Sequence, residues 1–146
     1  MNILKLNVAV FSSLLILLFA VVDTAAAATD VNLAPVAESS TSYVSPWAAL
    51  QVIQDGYAPK KSASKGDHYG NWPKKETQWV QYDWAAPVRT KKVDVFWCGD
   101  GGGIAMPKAS RVLYWDGKKF VPVSNPKGLG VAADKFNTTT FDEVRT

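Results

Sequence analysis

The chain has 146 residues, 20% of them charged and 47% hydrophobic, with six Trp, five Tyr, six Phe, one Cys, one His and a net charge of +3. That length leaves room for one domain after a leader, and a lone cysteine excludes a disulfide-stapled fold, so the domain must hold itself together by burial. The lysines come in scattered pairs (Lys60 and Lys61, Lys74 and Lys75, Lys91 and Lys92, Lys118 and Lys119), which describes a solvated surface and not the grouped basic element that nucleic acid requires.

Residues 1–7 carry one positive charge, Lys5, and are followed by an apolar run over 8–22 and a small-residue stretch over 24–28. That order predicts a secretory signal peptide, a helix over 1–28 cleaved near Ala28. Ala26, Ala27 and Ala28 supply the small side chains of a cleavage site, and no cysteine sits there to take a lipid. The competing reading is an uncleaved anchor, because residues 3–22 approach the length of a membrane span; contact with a membrane is expected only through this segment. Cleavage implies a secreted or periplasmic domain over 29–146. Lys5 and Asp23 cancel, so its charge is still +3.

The domain reads mainly as strands divided by turns. Residues 47–54 are the exception: Trp47, Leu50 and Ile53 fall at helical spacing, and Asp55-Gly56 ends about two turns. The polar segment 57–73 reads as a surface loop. In residues 78–84, Val80, Tyr82 and Trp84 share one face and Gln81 and Asp83 the other, while Trp79 falls on the polar side. Residues 91–97 repeat the alternation, with Val93, Val95 and Trp97 on one face, and the two strands are expected to be neighbours. Cys98 reads as a small buried hydrophobe. Residues 109–115 and 118–123 flank Asp116-Gly117 as a β-hairpin, since Asp-Gly supplies the positive φ angles of a tight turn. Residues 137–144, rich in Thr, form a further strand. Short strands with little helix argue for an all-β sandwich or jelly roll.

The order "NLAPVAESSTS", "ALQVIQDG", "TQWVQYDWAAPV", "VDVFW" resembles the coagulation factor 5/8 type C (discoidin-like) domain and the related family 32 carbohydrate-binding modules. The carrying positions are Asn32 to Ala34, Asp55-Gly56 and Trp79-Val80. The stretches "HYGNWP", "FWCGDGGGIAMPKASRVLYWDGKKFVPV" and "FNTTTFDEV" look more specifically like galactose-binding-like modules attached to bacterial glycoside hydrolases such as β-L-arabinofuranosidases. The resemblance covers nearly all of 29–146 and implies a jelly-roll β-sandwich, carbohydrate as partner and, near Asp55, a structural Ca²⁺ held by carbonyl oxygens and one or two carboxylates. Members of the family continue past the position of Val144 with further strands. The resemblance therefore implies a domain lacking its last strands, aggregation-prone at an unpaired edge.

Sugar recognition rests on aromatic faces that stack on a sugar ring, flanked by polar groups that read its hydroxyls, and loops on a rigid sandwich usually carry it. The densest such cluster is His68, Tyr69, Asn71 and Trp72; the alternative is a loop pinned by burying Trp72 ahead of Pro73. Trp47, next to Pro46, is a second stacking candidate whose plain alternative is core packing. Asp100, opening a glycine-rich loop, brings backbone close to a ligand or merely makes a tight turn; the loop matches neither a P-loop nor a dinucleotide fingerprint. Arg111 is placed either to donate to ligand hydroxyls or to form a surface ion pair. Asp55 alternatively caps its own turn.

Catalysis has little to build on. One His, one Cys and no Gly-x-Ser-x-Gly elbow leave no hydrolytic triad, and carboxylate pairs drawn from Asp67, Asp83, Asp94 and Asp100 are of a kind any protein offers. A non-catalytic binding module is the expectation. The alternatives are a fragment of an arabinofuranosidase-like hydrolase carrying its parent's activity, or a phospholipid or protein adhesion module.

Overall fold

The computed structural model describes residues 30–62, 68–99 and 106–146. Residues 1–28, read above as a signal peptide, Asp67 and the glycine-rich loop with Asp100 lie outside the described residues. Of the two units into which the chain divides, Met1–Asp30 and Val31–Thr146, the second contains every element named below.

This unit is strand-rich, and helix among the described residues is confined to two single 3₁₀ turns, Ala34–Val36 and Gln51–Ile53. Six strands pair antiparallel two by two: β1 (Glu38–Thr41) with β2 (Val80–Asp83), β3 (Arg89–Phe96) with β6 (Phe136–Arg145), and β4 (Leu113–Trp115) with β5 (Phe120–Pro122). The β1–β2 register sets Glu38 opposite Asp83 and Thr41 opposite Val80. The longest ladder runs from Arg89 opposite Arg145 to Phe96 opposite Phe136, with a register shift between Thr90 and Lys92. Across its far edge, Thr140 exchanges two backbone hydrogen bonds with Lys127, at 2.8 and 2.9 Å.

β6 shows why these residues make a strand. Its β-branched threonines suit an extended backbone, and its period-two pattern turns Asn137, Thr139 and Phe141 inward while Phe136, Thr138 and Thr140 face out. The buried apolar set among the described residues is small: Ala37, Val123 and Phe141. Aromatic tips fix other rings at its margin, Trp84 Nε1 donating to Leu33 O (2.9 Å), Trp97 Nε1 to Gly130 O (3.0 Å) and Tyr82 Oη to Ile53 O (2.8 Å).

Several expectations are corrected. Residues 47–54 do not make two helical turns; only Gln51–Ile53 is helical, in 3₁₀ form. Within it Ile53 N–H and Gln54 N–H reach back three residues, to Leu50 O and Gln51 O (3.1 Å each), in place of an α-helical ladder, while Ser45 N–H to Gly70 O (2.8 Å) and Ala49 N–H to His68 O (3.4 Å) tie the segment's start to a distant loop. Trp47 is consequently thrown outward, 78% exposed, and is not a core residue. β2 and β3 are not hydrogen-bonded neighbours, since each pairs with a strand remote in sequence. The hairpin is present, but its first strand starts at Leu113 and its tip is displaced by one residue. Asp116 lies just past the ladder, its N–H donating to Lys119 O (3.1 Å), and accepts the N–H groups of Lys118 and Lys119 on Oδ1 (2.8 and 2.9 Å), while Gly117 alone in the turn takes positive φ, +96°. Cys98 is half-buried and not fully enclosed.

Candidate functional site

The segment after β1 and the end of the long loop are stitched together by the two backbone bonds from Ser45 and Ala49. Tyr69 adds a side-chain strut: its hydroxyl lies 2.5 Å from Thr41 Oγ1 and donates to Tyr43 O (3.1 Å), which fixes the loop to the end of β1. Beyond it, Asn71 O accepts from Lys74 N–H (2.8 Å), closing a tight turn around Trp72 and Pro73. Lys74 Nζ lies 5.3 Å from the centre of the Tyr43 ring, a cation–π contact that packs the turn against the same neighbour.

The outcome is a pair of indoles side by side in solvent. The Trp47 and Trp72 ring centres are 5.9 Å apart with planes tilted by 33°, and Trp72 keeps 48% of its surface exposed. Trp72 is therefore no plug beneath the loop. Next to the pair, His68 and Asn71 are half-buried, each using its carbonyl to hold the turn. Two faces read from separate stretches of sequence thus converge, and Tyr69 holds the loop that carries one of them. Ser45, only 3% exposed, keeps its hydroxyl without a partner among the described residues, beneath the same turn.

Arg111 is exposed, precedes β4, and makes no hydrogen bond or ion pair among the described residues. No hydrogen bond or ring contact links it to the indole pair. Asp55 closes its own turn: Oδ1 accepts from Tyr57 N–H (2.8 Å), and Gly56 takes φ +78°. Among the described residues no three His, Cys, Asp or Glu side chains gather to hold a metal ion. Asp55 supplies one carboxylate of the six to eight oxygens calcium takes, so a Ca²⁺ there would depend chiefly on backbone carbonyl oxygens.

Charge is organised elsewhere, where β3 runs out. Ser62 donates through its hydroxyl and its backbone N–H to Asp134, holding that carboxyl below its ordinary range. Asp134 N–H in turn donates to Trp97 O (3.0 Å), and Gly99 N–H donates to Ser62 Oγ (2.8 Å). Burial, and then the Asp134 charge, raise the nearby Cys98 thiol above its usual value, leaving it a poor nucleophile.

A second aromatic surface was not anticipated from sequence. Trp115 and Phe120, opposite each other on the hairpin, are 44% and 46% exposed and meet edge to face at 5.3 Å. With Tyr82 and Trp84 they line an open hollow of about 400 Å³. The available signal was the like-facing pairs 82/84 and 113/115, but period two alone does not say which face is covered. No protein-family model matches the chain, and no solved structure matches it.

Proposed function

We propose that the chain is an exported, non-catalytic carbohydrate-binding module of the discoidin-like, jelly-roll kind, with the indoles of Trp47 and Trp72 as its sugar platform and the 1–28 segment as its signal peptide. The observation that carries this reading is the pair of solvent-facing rings 5.9 Å apart, held by backbone bonds between the turn at Ser45 and the loop at Gly70. Exposed indole is unfavourable in water, and adjacent faces at a modest tilt suit the apolar face of a pyranose or furanose. His68 and Asn71 flank the rings as readers of hydroxyls, with Tyr69 as the strut. Stacking of this kind needs no metal ion.

The test is glycan-array binding by the full chain beside its Trp47→Ala and Trp72→Ala variants, at low and high salt. The expected result is binding to plant or microbial glycans that changes little with salt and falls by on the order of tenfold or more in each variant. Retention of full glycan affinity by Trp72→Ala would remove the site assignment. Binding that collapses with salt would instead favour an anionic lipid surface.

A further inference from the structure

We infer that the hollow between the end of β2 and the β4–β5 hairpin is a second ligand site, which takes a quaternary ammonium group. Its walls are two pairs of rings: Tyr82 and Trp84, nearly parallel at 24° with centres 6.2 Å apart, and Trp115 and Phe120 from the hairpin. Tyr82 and Trp84 are tied down at their polar tips, to Ile53 O and Leu33 O, so their faces are fixed before any ligand arrives. A ring face is the negative pole of the aromatic quadrupole, and several faces around one space attract a cation.

The charge around the hollow agrees. The protein carries +3 overall, yet among the described residues neither Lys nor Arg lines this space, and Asp83 does. Both Asp83 oxygens accept from Gln81 Nε2, at 2.9 Å each, so among the described residues the carboxylate meets an amide and no cation.

The same bonds favour one ligand class. A polyol wants several donors and acceptors for its hydroxyls, and the Trp84 N–H, the Tyr82 O–H and the Gln81 Nε2 are already engaged within the protein, which leaves mainly ring faces and the Asp83 carboxylate, a combination better matched to a cation. A primary ammonium likewise needs acceptors to replace its hydration. A quaternary ammonium needs none, and its methyl groups pack directly on ring faces. This site shares no residue with the Trp47–Trp72 platform and does not depend on the sugar reading.

The test is titration of the full chain with choline and, in parallel, with its uncharged isostere 3,3-dimethyl-1-butanol, following ligand methyl line broadening by NMR. Choline is expected to bind on the order of tenfold tighter than the isostere. Asp83→Asn should weaken choline several-fold, Trp115→Ala by on the order of tenfold, and Trp72→Ala should leave it unchanged. Equal affinity for the two probes, no saturable choline binding, or choline binding that survives Trp115→Ala would each overturn the inference. Should Trp115→Ala fail to fold, the two-probe comparison on the unsubstituted chain and on Asp83→Asn decides it.

Discussion

Asn137 and Ala132 exchange a reciprocal pair of hydrogen bonds: Ala132 N–H donates to Asn137 Oδ1 (3.0 Å), and Asn137 Nδ2 donates back to Ala132 O (2.8 Å). The second amide proton goes to Lys135 O at 2.9 Å, so a side chain 8% exposed has both its protons and its carbonyl engaged. Asn137→Ala strands three backbone groups at once, and the expected cost is about 2–3 kcal/mol. Urea unfolding checks it through a lower midpoint at unchanged slope.

Gly128 is held at φ +106°, and a Cβ added there would meet Thr138 O at 2.1 Å. The obstacle is backbone in the longest ladder, so it cannot swing aside as a side-chain tip would. Gly128→Ala is expected to destabilise by roughly 2 kcal/mol or more, from conformational strain and displacement of the segment from β6 together. Gly117→Ala provides the comparison: its φ is +96° but nothing lies within 4 Å, so only the conformational part, about 1 kcal/mol, should appear in thermal melts.

Local patterns read well from sequence and distant pairings did not. The Thr-rich run over 137–144 and the Asp116-Gly117 signal located a strand and a hairpin, because both depend on neighbours within a few residues. The spacing of Trp47, Leu50 and Ile53 suggested a helix since nothing local shows that Gly70 and His68 tie the start of that segment to a distant loop. The same bonds decide the site: the 47 and 72 positions are unconnected in sequence, and only the fold puts their rings side by side. Trp115 and Phe120 illustrate the converse, a pattern legible as a strand face but silent on whether that face is covered.

Asp134 predicts acid sensitivity at the end of β3. Its carboxyl is depressed below the ordinary range by Ser62, so the contact contributes fully above the unfolded-state pKa and is lost as pH falls through the lower folded-state value. The Ser62 and Gly99 amide resonances should therefore shift together on acidification, with a midpoint below that of a free aspartate. In Asp134→Asn this step should vanish; an unchanged titration would assign it to another group.

Ser45 offers a stabilising change next to the indole pair. Its hydroxyl is buried without a partner among the described residues, whereas its backbone N–H and O are bonded to Gly70 and Ala48. An unsatisfied buried hydroxyl costs roughly 1 kcal/mol or more. Ser45→Ala keeps both backbone bonds and removes that cost, so stability should stay level or rise by up to about 1 kcal/mol in denaturant unfolding. Glycan affinity should persist, because the backbone that carries Trp47 is unchanged.

Trp47 separates recognition from folding most cleanly. At 78% exposure it contributes little burial, so Trp47→Ala should alter stability by no more than about 0.5 kcal/mol, as expected of a surface position. Phe141, 8% exposed on the inner face of β6, should behave oppositely: Phe141→Ala is expected to cost about 3–5 kcal/mol through lost burial and a cavity. Unfolding midpoints measured alongside glycan binding distinguish the roles. If Trp47 is half of a sugar platform, its removal weakens binding while the melt stays put; a melt that falls as far as that of Phe141→Ala would make it a packing residue after all.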